Sequence, residues 1–68
     1  MNPVLLSMAR GSRAIADGNK KAAKLYLSRA RAARLSGDPQ YAALCLDIAC
    51  EYQQLAHMDI KFAEDLLK

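Results

Sequence analysis

A chain of 68 residues can form one domain, close to the lower limit at which a single core is sufficient, and its 53% apolar content excludes a disordered chain. The formal charge of +3 conceals a division: residues 1–36 carry eight basic side chains against one acid, residues 37–68 six acids against two lysines. With no tryptophan, three tyrosines, one phenylalanine and one histidine, the chain is poorly equipped for base stacking or acid–base catalysis.

Stop and start signals divide the sequence into three predicted helices. Asn2-Pro3 reads as an N-cap followed by proline in the first turn. Asp17-Gly18-Asn19 reads as a glycine stop and a new cap, and Gly37-Asp38-Pro39 as a second stop, cap and start. The expected helices are 3–16, 20–35 and 39–67, within a single all-α domain covering residues 1–68.

The first predicted helix is apolar through Val4, Leu5, Met8 and Ile15, with Gly11 and Ser12 weakening its centre. No basic residue precedes Val4, and Arg10 and Arg13 interrupt the stretch, so it does not read as a signal peptide. No apolar run approaches the roughly 20 residues of a membrane span. In the second predicted helix Ala22, Ala23, Tyr26, Ala30 and Ala33 share a face, with Leu27 at its edge. Lys20, Lys21, Lys24, Arg31 and Arg34 lie opposite.

The third predicted helix, about 43 Å long, is the longest element expected. Steps of four and three from Tyr41 select Tyr41, Cys45, Ile48, Tyr52, Leu55, Asp59, Phe62 and Leu66, a heptad seam interrupted by one acid. Beside it runs a column of Ala42, Ala49, Ala56 and Ala63, small enough to admit a close neighbour, and another column holds Leu46, Ile60 and Leu67. The arc is wider than one seam needs, so the helix should touch more than one neighbour. The expected architecture sets the two short helices antiparallel to the long one. A homodimer would form through Ile48, Tyr52, Leu55 and Phe62, giving a helical bundle.

Residues 7–39 resemble one tetratricopeptide-type helical hairpin. Gly11 followed by Ala23, Leu27 and Ala30 has the small–small–large–small spacing of that repeat, and Gly18-Asn19 stands where its inter-helix turn falls. The resemblance implies protein binding and no residue-specific role.

Chemistry finds little support. The serines have no base beside them, and no glycine-rich phosphate loop occurs. Cys50, His57 and Glu64 share a stripe at seven-residue spacing, but successive members stand about 10 Å apart, too far to ligate one ion. Cys45 and Cys50 point about 140° apart on a helix and do not read as a disulfide, which suggests a reducing, cytoplasmic setting. No enzyme activity, cofactor or metal is expected.

Two binding surfaces remain. Exposed residues of the long helix, Tyr41, Glu51, Met58 and Asp65, are candidates for contact with another, regulatory protein. The expected role is an adaptor or an inhibitor by occlusion, by analogy of size with phage and mobile-element accessory proteins. The alternative is a nucleic-acid-binding module whose Lys20, Lys24, Arg31 and Arg34 meet phosphates.

Overall fold

A computed structural model describes residues 2–68, which form two helices joined by a tight turn. Helix α1 spans Pro3–Leu35 and α2 spans Pro39–Leu66, packed as an antiparallel hairpin with principal extents of 53 × 13 × 10 Å.

The ends are set by local chemistry. Asn2 Oδ1 accepts from the Val4 amide at 2.8 Å, and Asp38 Oδ1 accepts from the Tyr41 amide at 3.0 Å; each cap precedes a proline in the first turn. Helix α1 closes with both hydrogen bonds of a Schellman turn: the Asp38 amide donates to the Ala33 carbonyl at 2.8 Å and the Gly37 amide to the Arg34 carbonyl at 3.2 Å. Gly37 supplies the required left-handed backbone, with φ of 81°.

The expected division of the first 35 residues into two helices is wrong. Asp17-Gly18-Asn19 lies inside α1, and Gly37 is the only described residue with positive φ. Ala9, Ala16, Ala23 and Ala30 are all buried and form one column at seven-residue spacing. A break at Gly18 would throw half of that column off the partner helix. Retaining a glycine in a helix interior costs only about 1 kcal/mol. Asn19, read as a cap, instead turns inward, its amide donating to the Asp59 carboxylate at 3.0 Å. The stretch that resembles a tetratricopeptide hairpin is thus largely one continuous helix.

The core is made of small residues. From α2 it receives Ala42, Cys45, Ala49, Ala56 and Ala63, and from α1 the alanine column plus Ala33. Each buried methyl contributes about 0.8 kcal/mol. Small side chains also let the two axes approach toward the close end of the roughly 8–10 Å range for packed helices. Larger rungs alternate with the alanines. The Tyr26 and Tyr52 rings stack with centroids 5.8 Å apart, and Asn19 meets Asp59 seven residues further along each helix. These rungs fix the register. Opposite charge does not: the only ion pair among the described residues is exposed Lys68–Asp65, at 3.2 Å.

Candidate functional site

Because alanine fills the inner seam, most large apolar side chains lie outside it. On α2, Tyr41, Ile48, Leu55 and Phe62 recur every seven residues in one column beside the seam. Leu55 and Phe62 are about half exposed, at 47% and 49%; Ile48 is partly buried. The next column outward holds Leu44, Glu51, Met58 and Asp65, all exposed. On α1 the corresponding column holds Met8, Ile15, Ala22 and Arg29, flanked by Val4, Gly11, Gly18, Leu25 and Ala32. Each helix therefore carries a second heptad seam directed away from its intrachain partner.

The two outer seams lie on the same side of the hairpin. In an antiparallel pair the columns on this edge of the inner seam flank each other, which sets Met8, Ile15, Ala22 and Arg29 on the same side as Tyr41, Ile48, Leu55 and Phe62. On the reverse side, Arg13 and Lys20 border a shallow depression with Ile60, and Leu27, Arg31 and Arg34 border another with Leu46. The α1 flank on that reverse side is basic: Arg10, Arg13, Lys20, Lys24, Arg31 and Arg34, with Asp17 the one acid. The hairpin thus has an apolar side carrying three charges (Arg29, Glu51 and Asp65) and a reverse side with a cationic ridge.

The residues singled out from sequence are distributed as follows. Tyr41, Ile48, Leu55 and Phe62 fall in one exposed or half-exposed column, with Glu51, Met58 and Asp65 in the next. Tyr52 stands apart from these, because its ring is engaged inside the hairpin by Tyr26. Arg29 lies over the Tyr26 ring, its guanidinium carbon 5.1 Å from the ring centroid. Lys20, Lys24, Arg31 and Arg34 share the exposed basic flank. Sequence reasoning missed the contribution of α1 to the apolar side. The signal was the four–three spacing Val4, Met8, Gly11, Ile15, Gly18, Ala22, Leu25, which becomes readable once residues 3–35 are taken as one helix.

The Tyr41 phenol is held above its ordinary value of 10.0, first by hydrogen bonding with the Cys45 side chain one turn away and by charge interaction with it. Arg29 pulls in the opposite direction. Both cysteines are free, Cys45 buried and Cys50 exposed. The Gln54 amide donates to Cys50 Sγ at 3.8 Å. Among the described residues no three His, Cys, Asp or Glu side chains converge as a metal site, and no helix is long and apolar enough to cross a membrane. A surface depression of about 440 Å³ is lined by Cys50, Gln53, Gln54, His57 and Met58, all from α2.

No family model matches the chain, and no significant match occurs among curated proteins or solved structures.

Proposed function

We propose that this chain is a non-enzymatic interaction module that associates with another polypeptide through the apolar side of the hairpin. The observation that carries the reading is the inversion of side-chain size: alanine occupies the intrachain seam, while Ile15, Leu55, Met58 and Phe62 stand outside it. Layered helical folds bury such a stripe against another element, and this hairpin has only one layer. A rod of this kind laid along a helical surface denies that surface to other ligands, which makes adaptor or inhibitor of a larger regulatory protein the corresponding role. The free thiols fit a reducing compartment, and we place the activity in the cytoplasm.

The test is capture by the tagged chain from nuclease-treated lysate, comparing wild type with Leu55→Glu. A protein retained by wild type and lost with Leu55→Glu supports the reading. Equal retention by both chains argues against it.

A second reading rests on the ridge of six basic side chains, none of which is in a salt bridge among the described residues. Six phosphate contacts would make binding to nucleic acid fall steeply with salt. Replacing Lys20, Lys24, Arg31 and Arg34 by glutamine would abolish such binding and leave the hairpin folded.

A further inference from the structure

The polypeptide that covers the apolar side is, we infer, a second copy of this chain, paired through a two-fold axis parallel to the long axis of the hairpin. This rests on the reading of that side as the docking surface and names its occupant in the free chain, which a larger regulatory protein would displace.

Size is the first argument. The outer seams run for roughly 40 Å of helix and across two helix widths of about 10 Å, so a paired copy covers on the order of 800 Å² per protomer. That is the area of a standard stable interface, about 1,600 Å² in total. The intrachain core of alanines and one cysteine is small for a free-standing domain, and a second layer supplies the missing burial.

Complementarity is the second argument. The Asn19–Asp59 and Tyr26–Tyr52 rungs set the relative heights of the two helices. By that register Gly18 and Ala22 of α1 stand level with the stretch of α2 that carries Leu55 and Met58. Arg29 stands within about one turn of the height of Glu51. A two-fold axis along the hairpin preserves these heights and lays α1 of one protomer against α2 of the other. At that level Leu55 and Met58 of one protomer then meet Gly18 and Ala22 of its partner, and the cation of one outer seam meets the anion of the other. An axis perpendicular to the hairpin and crossing at that height opposes α1 to α1 and α2 to α2, setting Gly18 against Ala22 and crowding Leu55 and Met58 against their own copies. The glycine at position 18 fits the first arrangement. A Cβ built there meets nothing within 4 Å, so no contact inside the hairpin explains a glycine in mid-helix. Close approach of another helix does.

The experiment is mass in solution by light scattering and sedimentation equilibrium. The wild-type chain should give twice its 7.5 kDa. Gly18→Leu should weaken the dimer on the order of 10- to 100-fold while retaining helix content. Arg29→Glu should weaken it as well, and Arg29→Glu combined with Glu51→Arg should restore it. A monomer at about 0.1 mM would overturn the proposal, as would a dimer indifferent to Gly18→Leu and to the charge reversal. The two readings fail separately. A monomer whose capture of a foreign protein is abolished by Leu55→Glu leaves the docking surface standing and removes only the second copy. A monomer unaffected by Leu55→Glu removes both.

Discussion

The side-chain amide of Asn19 donates a 3.0 Å hydrogen bond to the Asp59 carboxylate across a seam otherwise lined mainly by alanine. This polar rung lies one heptad from the Tyr26–Tyr52 stack, and together they determine which residues of the two helices face each other. A polar pair in such a seam favours one register because sliding either helix leaves both groups without their partner. Asn19→Ala should cost about 1 kcal/mol, which lowers the midpoint of thermal unfolding by about 4–8 °C in a domain of this size. Replacing both residues by leucine should preserve or raise stability and weaken register selection. Circular dichroism melts measure the first effect, and paired spin labels on the two helices measure the second. A double variant with an unchanged, single distance distribution would deny the rung its role in register.

The alanine column is a spacing device as much as a core. Ala23→Leu or Ala49→Leu forces an isobutyl group between helices that meet through methyls and should cost about 1–3 kcal/mol. Ala14→Leu, at an exposed position of α1, should change stability by no more than about 0.5 kcal/mol. Urea unfolding of the three variants distinguishes a spacing requirement from a general need for small residues.

The two glycines read as helix stops should respond in opposite directions. Gly18 has helical backbone and open space where a Cβ would sit, so Gly18→Ala should raise hairpin stability by about 0.5–1 kcal/mol. Gly37 has a φ of 81°, where a side chain is strained, so Gly37→Ala should lower stability by about 1 kcal/mol or more. Thermal or urea unfolding at concentrations where the chain is monomeric checks both signs, and a destabilising Gly18→Ala there would contradict a continuous α1.

Tyr41 links the outer seam to pH. Its pKa in the folded chain is raised above 10.0, chiefly by Cys45, so folding favours the neutral phenol. The associated stabilisation is complete below the unfolded value and is lost as pH rises through the higher folded value. The difference in phenolate absorbance between wild type and Tyr41→Phe should therefore titrate above the midpoint found in denaturant. Cys45→Ala should shift that difference titration downward. An unshifted midpoint would remove the Cys45 interaction from the account.

The all-helical class, the caps at Asn2 and Asp38 and the Gly37 turn were legible from the sequence because they depend on a few adjacent residues. Hydrogen bonds within one or two turns satisfy each of them. The heptad spacing of the apolar residues was legible too. Continuity of the helix through Asp17-Gly18-Asn19 was not, since a local stop signal worth about 1 kcal/mol is overridden by an alanine column that extends on either side of it. Nor did spacing alone decide which part of the wide apolar arc of α2 turns inward. Tyr52 and Cys45 lie in the inner seam, while Tyr41, Leu55 and Phe62 from the same expected seam are left exposed. Local sequence thus determined where these helices begin and end. Close packing between two alanine columns, far apart along the chain, decided that there are two helices and which apolar side chains remain outside.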